Sequence, residues 1–368
     1  MPGDDRKPYT GCAIVIPALD PSPRLTAIVG ELLARGVPRI IVVNDGSSPS
    51  FEALFLAIRG MKRCTLLVHD TNLGKGRALK TAFRYFLEHV PSLDGVVTAD
   101  ADGQHAVDDI IAVCRRVSGG DGSLVLGMRS FSGKDVPALN HFGNALTSRV
   151  FRLLYGSYIE DTQTGLRGIP AGEIPWMADM PGDRYEYEMN MLIGAKQRGL
   201  AISPVPIRTL YPDGNAGSHY EVLRDSGRIF VCLMSGLASH FLAAILSGAA
   251  DILLFLLFDS VILPNLRAAG RLAASTAIAR AGSSIVYFLP DRRAFAAGGT
   301  APRQAAVRYG ALWLVQLAAS WGLVFGITRL VPVHDAVAKV VVDLVLGLIG
   351  YQVRLRWVFG NTDVATAA

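Results

Sequence analysis

Four short runs of apolar, largely β-branched residues, each breaking off at a proline or a polar residue, constrain this chain more than any other feature. They are Cys12-Ala13-Ile14-Val15-Ile16 before Pro17, Ile40-Ile41-Val42-Val43 before Asn44-Asp45, Thr65-Leu66-Leu67-Val68 ahead of Asn72, and Val96-Val97-Thr98-Ala99 before Asp100. The stretches between them predict helices over 24–35 and 77–88. Strands alternating with helices make an α/β fold with a mainly parallel, doubly wound sheet. Such sheets bind ligands at the carboxyl ends of their strands. Pro17, Asp45, Asn72 and Asp100 fall just past those ends, so one crevice can collect them all.

The fourth run carries the chemistry: Asp100-Ala101-Asp102-Gly103-Gln104-His105. If the backbone stays extended, Asp100 and Asp102 point the same way, because side chains repeat every two residues along a strand. Two carboxylates held together repel unless a cation or a proton lies between them. A hard divalent ion suits such a pair, with substrate phosphates completing its oxygen shell. The plainer reading is a polar turn after a buried strand. Asp45-Gly46-Ser47 also reads as a turn, since those residue types dominate turns. Gly74-Lys75-Gly76 reads as a turn with a solvated lysine; it lacks the leading glycine and the Ser or Thr of a Walker loop. Singly, each favours the plain reading. In order, at successive strand ends, they favour a site.

At 368 residues the chain is long enough for two domains. Its 51% apolar content hides an asymmetry: residues 1–235 read as a soluble α/β protein, whereas 237–359 hold nearly continuous apolar runs broken by basic clusters. The first eleven residues are polar and the apolar run after them is short, which predicts no signal peptide. Cys12, Cys64, Cys114 and Cys232 have no metal-like spacing, and the strand and helix positions of the first three suit reduced, buried thiols. The net charge of +5 sits largely beside apolar spans, which argues for a membrane rather than a nucleic-acid partner.

Residues 12–220 resemble a family 2 glycosyltransferase with the GT-A fold, in the branch of dolichol-phosphate mannose synthases and polyprenyl-phosphate glucosyltransferases. The resemblance rests on Ile16-Pro17-Ala18, Val43-Asn44-Asp45-Gly46-Ser47, Asn72-Leu73-Gly74-Lys75-Gly76, Asp100 to His105, Gly127-Met128-Arg129, Asp161-Thr162-Gln163-Thr164-Gly165-Leu166-Arg167 and Ser218-His219-Tyr220. It departs where the family has an Asn-Glu pair after the first proline; Leu19-Asp20-Pro21 stands there. The resemblance implies that Pro17, Ala18, Asp45, Lys75, Asp100, Ala101, Asp102 and Arg208 bind a nucleotide-sugar donor. It implies Mg²⁺ or Mn²⁺ on Asp100, Asp102 and Gln104, with Arg129, Arg167 and His219 at an acceptor phosphate. Asp100, Asp102 and Arg129 form its catalytic set. Guanidinium suits phosphate because its planar fork binds two oxygens and stays charged.

The metal would offset charge on the departing diphosphate while the acceptor attacks the anomeric carbon from the opposite face. A phosphate monoester, with a second pKa of about 6, is already dianionic and needs no general base. A hydroxyl acceptor would need one, and Glu186 and Glu188, on a helix over 184–198, are the candidates. Two apart in a helix, they cannot share a face. His105 reads as a group supporting the metal loop.

Residues 220–236 predict an amphipathic helix at a bilayer surface, with Val222, Leu223, Ile229, Phe230, Leu233 and Met234 on its apolar face. Four spans follow, at 237–263, 270–289, 305–331 and 336–359. Arginines flanking them predict an inner-membrane, multi-pass protein with its catalytic domain (1–219) and both termini in the cytoplasm. Ile285-Val286-Tyr287 through Phe295 is echoed by Ile349-Gly350-Tyr351 through Phe359. That pattern makes 237–360 similar to the GtrA-like family, associated with moving polyprenyl-linked sugars across membranes; 361–368 are a tail. Asp251, Arg280 and Asp343 lie within the spans, as a polar path or a packing pair.

The expected activity is inverting transfer from a UDP- or GDP-sugar to a polyprenyl phosphate, for cell-envelope glycans, with translocation of the product left open. A transferase acting on a hydroxyl, and a transporter or scaffold with an inactive transferase domain, are the alternatives. Membrane lipid is a partner, nucleic acid is not, and a homo-oligomer is left open.

Overall fold

The computed structural model describes residues 11–129, 138–208, 222–263, 302–330 and 335–358, with scattered positions between 265 and 285. The chain divides into two compact units. The first takes in the sheet and its helices through Leu233; the second begins at Met234 and includes the short segments Arg152–Ser157 and Gln197–Gly199.

In the first unit the expected alternation holds. The elements run β1 (Cys12–Ala18), α1 (Arg24–Ala34), β2 (Arg39–Asp45), α2 (Glu52–Arg59), β3 (Cys64–His69), α3 (Lys75–His89), β4 (Gly95–Thr98), α4 (Val107–Ser118) and β5 (Leu124–Arg129). After them come α5 (Ala138–Tyr155), β6 (Arg167–Pro170), α6 (Ile174–Ala178), α7 (Glu186–Arg198) and β7 (Ile202–Ile207). The seven strands form one sheet in the order β3-β2-β1-β4-β6-β5-β7. Every pairing is parallel except those of β6, which runs antiparallel to both β4 and β5.

The continuous apolar runs follow from burial on both faces. Ile14, Ile16, Ile40, Val42 and Val97 pack with Leu25, Leu32, Phe55, Ile58 and Ile110 of α1, α2 and α4. The alternate residues Ala13, Val15, Ile41, Val43 and Val96 are equally buried, and α3 packs on β1 and β2. The three strands run parallel, with Ile14↔Ile40 and Ile14↔Val97, so their carboxyl ends share one edge of the sheet, where Pro17, Asp45 and Asp100 lie at or just past the strand ends.

Helix α3 also packs on α6 and the turn before α7. The Lys80 ammonium, nearly buried, donates to Asp183 Oδ1 at 2.6 Å and to the Met180 carbonyl at 3.3 Å. Arg77 reaches Asp183 twice, through its guanidinium to Oδ2 and its backbone N–H to the carbonyl, both at 2.9 Å.

A helix α8 (Val222–Leu257) starts in the first unit. The apolar face expected over 220–236 is described only in part, the side chains of Val222 and Leu223 lying outside the described residues. Asp225, Ile229 and Leu233, four apart, are buried together, while Phe230 and Val231 are exposed. Cys232 donates its thiol hydrogen to Asn190 Oδ1 of α7 at 2.8 Å. The apolar residues therefore divide between a packed face and a solvent face, and Asp225 lies on the packed one.

In the second unit α9 (Pro302–Leu330) and α10 (Asp335–Val353) pair. Gln316 of α9 donates to the Leu346 carbonyl at 2.8 Å, and the Tyr351 hydroxyl donates to the Leu154 carbonyl at 2.6 Å. Leu242, Ile245 and Leu253 on α8 and Val307, Leu314 and Val315 on α9 are exposed. Among the described residues no helix is both long and apolar enough to cross a membrane. The second expected span and the first copy of the Tyr-to-Phe echo fall largely outside those residues, as do the side chains of Asp251, Arg280 and Asp343.

Asp183→Ala strips the Lys80 ammonium of its carboxylate. Losing a partner of a buried charge costs 3–5 kcal/mol; with Asp183 half exposed, we expect about 2 kcal/mol in a urea denaturation series.

Candidate active site

The site is assembled from loops at these strand ends, and most of its hydrogen bonds shape those loops. After β1, Asp20 takes a left-handed backbone conformation (φ 43°). Its N–H donates to Ser47 Oγ at 2.9 Å, and its Oδ1 accepts from the Ser48 N–H and hydroxyl at 2.8 and 2.9 Å. That carboxylate thus ties the first loop to the Asp45-Gly46-Ser47 loop. At the end of β2, Asp45 is buried and faces the loop after β3. Its carboxylate accepts from the Leu73 N–H at 3.0 Å and the Gly74 N–H at 2.8 Å. His69 Nδ1 lies 2.7 Å from Oδ1, and His69 Nε2 lies 3.0 Å from Thr81 Oγ1. Asp45, expected as a donor contact, organises the Asn72-Leu73-Gly74 turn.

That turn delivers Lys75. Gly74 has φ 103°, and a Cβ on it would lie 2.4 Å from the Asp183 carbonyl oxygen. On Gly76 a Cβ would lie 2.5 Å from Tyr187 Cβ. The Gly-Lys-Gly sequence is therefore the close approach between the start of α3 and the segment 183–187, which only glycine permits. Between the glycines, Lys75 Nζ sits 2.7 Å from Asp100 Oδ1 and 3.0 Å from Glu188 Oε1, with the Tyr185 ring centroid at 5.8 Å. The lysine is not solvated.

At the end of β4, Asp100 Oδ2 lies 3.2 Å from His105 Nε2. Asp102 Oδ1 accepts from the Gln104 N–H at 3.0 Å, closing a turn through Gly103 at φ 83°. Gly165 backs onto the first acid: a Cβ there would lie 2.4 Å from Asp100 Oδ2. The Gly165 carbonyl is fixed by the Thr98 hydroxyl at 2.7 Å.

The electrostatics separate the two acids. Burial works against the Asp100 charge, but Lys75 and then His105 hold its carboxyl far below the usual range. Burial and the neighbouring Asp100 push Asp102 upward. Burial also opposes the Lys75 charge, yet Asp100 and Glu188 keep that ammonium more firmly protonated than usual. Burial lifts the Tyr185 hydroxyl to about 12. Among the described residues no group of three or more His, Cys, Asp and Glu could by itself hold a metal ion. The chain offers an acidic pair, and the rest of a shell would come from the ligand.

The expected arginines divide. Arg129, at the end of β5, forms a two-pronged pair with the fully buried Asp161, Nε to Oδ2 at 2.7 Å and Nη2 to Oδ1 at 3.1 Å. Arg167 corrects its expectation: it is 1% exposed, and its guanidinium donates to the carbonyls of Thr164, Glu188 and Thr162. It opens the antiparallel strand β6 and braces that strand to α7, so it offers nothing to a phosphate. Arg208 is exposed and pairs with Asp108 and Asp109 at the start of α4. That arrangement is a surface ion pair. His219 lies outside the described residues. Of the two glutamates on α7, Glu188 turns to Lys75, while Glu186 Oε1 accepts from the N–H groups of Asp183 and Arg184.

Residues 13–166 match the family model for glycosyl transferase family 2. That stretch carries the strand-end acids, so this part of the chain reads as a family 2 glycosyltransferase domain of the nucleotide-sugar type. Over 227 residues, 60% of this chain and 90% of the relative, it is 29% identical to an uncharacterized protein of Methanocaldococcus jannaschii. It is also 29% identical over 217 residues, 54% of this chain and 86% of the relative, to the UDP-N-acetylglucosamine–dolichyl-phosphate N-acetylglucosaminyltransferase of Methanococcus voltae. A similar solved structure is the glucosyl-3-phosphoglycerate synthase of Mycobacterium tuberculosis with Mn²⁺, UDP and phosphoglyceric acid (18% identity, 62% of this chain and 78% of that one, TM-score 0.48). The family match ends at residue 166, and the comparisons lend the GtrA-like resemblance no support.

Asp45→Ala leaves the Leu73 and Gly74 N–H groups without their charged acceptor. We expect a loss of about 3 kcal/mol by denaturant titration, from hydrogen bonds to a charge worth about 1.5–3 kcal/mol each, less recovery by water.

Proposed function

We propose that this protein transfers a sugar, with inversion, from a nucleotide sugar to a polyprenyl phosphate at a membrane surface. The observation that carries the reading is the acidic pair Asp100–Asp102 at the end of β4, with Asp100 clamped by Lys75 and backed by Gly165. Burial and then the Asp100 charge raise Asp102, and a cation between the two acids would relieve their repulsion. Oxygen ligands suit Mg²⁺ or Mn²⁺, and a donor diphosphate would complete the shell. A bound divalent ion would supply charge stabilisation at the leaving diphosphate.

The chain's own groups do the rest. Asp100 and Asp102 fix where the diphosphate sits, and the Asp20–Ser47–Ser48 bonds hold the loops beside the nucleoside. Lys75 adds a positive charge on the leaving side. Arg129, 19% exposed, is the arginine of the expected set that an acceptor phosphate could reach; Arg167 is not. A dianionic acceptor needs no proton removed. The dolichyl phosphate named for the Methanococcus voltae relative supports a lipid-phosphate acceptor, and the exposed apolar residues of α8 and α9 support a membrane setting.

A second reading, transfer to a hydroxyl, is favoured by one observation: Glu188 is a buried carboxylate linked through Lys75 to Asp100. Glu188→Gln separates the two. Transfer to a polyprenyl phosphate should fall by no more than about tenfold, whereas loss of a general base would cost about 10²–10⁴.

Membranes carrying the protein, given labelled UDP- and GDP-sugars with polyprenyl phosphate, should form a lipid-linked sugar. Asp102→Asn should lower that rate by at least about a hundredfold, as should chelation of divalent ions. Product formed only on hydroxyl acceptors, or undiminished transfer after chelation, would refute the proposal.

A further inference from the structure

The two acids of the pair are not equally accessible to an incoming cation. Asp102 gives Oδ1 to the Gln104 N–H. Asp100 has both oxygens engaged, Oδ1 by the Lys75 ammonium at 2.7 Å and Oδ2 by His105 Nε2 at 3.2 Å. On one side it lies against Gly165, where a Cβ would come within 2.4 Å of Oδ2. Lys75 is held at its root, since Gly74 and Gly76 pack against 183–187. Its tip alone has an alternative: Glu188 Oε1, 3.0 Å away.

We propose that Lys75 is a built-in counter-ion of the acidic pair, which a divalent cation must displace from Asp100, so that metal binds weakly until a diphosphate accepts the displaced ammonium. Metal and nucleotide then bind with positive coupling, and each raises the affinity of the other by the same factor. The ammonium keeps the empty acids compensated, which otherwise repel across a poorly solvated site. Once the diphosphate brings its own negative charge, Lys75 can bridge it and Glu188. This rests on the proposed metal-dependent reading, and its test separates the two.

Mn²⁺ binding to the full-length protein is read by electron paramagnetic resonance of the free ion, without nucleotide and with UDP or GDP. Wild type should bind Mn²⁺ weakly alone and at least about tenfold more tightly with the matching nucleotide. Lys75→Met should bind Mn²⁺ alone at least about tenfold more tightly than wild type and lose most of the coupling. Its melting temperature should rise more on adding Mn²⁺ than that of wild type, since a ligand stabilises in proportion to its affinity.

Glu188→Gln should move the opposite way. With its alternative partner gone, Lys75 stays on Asp100, and Mn²⁺ alone should bind about threefold or more weakly. Lys75→Arg, which keeps the charge, should retain the coupling. Unchanged or weaker Mn²⁺ binding by Lys75→Met would overturn the counter-ion role while leaving the metal reading intact. If wild type binds no Mn²⁺ with either nucleotide, the metal reading fails and this inference falls with it.

Discussion

An ammonium between a buried and a partly buried carboxylate is the interaction on which the rest of the site depends. Lys75 touches Asp100 and Glu188, which come from β4 and α7, and it stands on the first turn of α3. Three separate pieces of chain are thereby fixed by one charge. In water such contacts are worth little; out of water they are strong, but each ion has lost its hydration. The arrangement holds because the glycines on either side of Lys75 let the backbones meet. The ion triad and the close approach are one device.

A second device of the same kind lies one loop away. Asp45, with His69 and Thr81 behind it, gathers the N–H groups of Leu73 and Gly74. A carboxylate that folds a turn around itself leaves that turn rigid before any ligand arrives. Pre-ordered loops avoid the entropy cost of ordering on binding. Asp20 and the serines after β2 extend the same logic to the loop after β1.

The strands and their order of use were legible because burial on both faces leaves a continuous apolar run, a signal that survives without context. Strand ends on one edge made Asp45 and Asp100 visible as site positions. The roles were less legible than the positions. Arg167 sits in a motif that reads as phosphate-binding, yet β6 turns it inward against three carbonyls; nothing local announces an antiparallel strand of four residues. Lys75 reads as a solvated turn residue because its partners lie far along the chain. Periodicity placed Glu186 and Glu188 on different sides of α7, and the structure turns Glu188 toward Lys75. For 220–236 the same reasoning counted apolar residues and overlooked that Asp225 falls in register with Ile229 and Leu233.

Gly165 carries a consequence for how such a chain can change over time. The acid it presses on is sixty-odd residues earlier, so two distant codons answer to a single contact. A methyl group at 165 would push the Asp100 carboxylate from its place between Lys75 and His105, so a change at one position is felt at the other. The two are constrained together although nothing near either in sequence announces it.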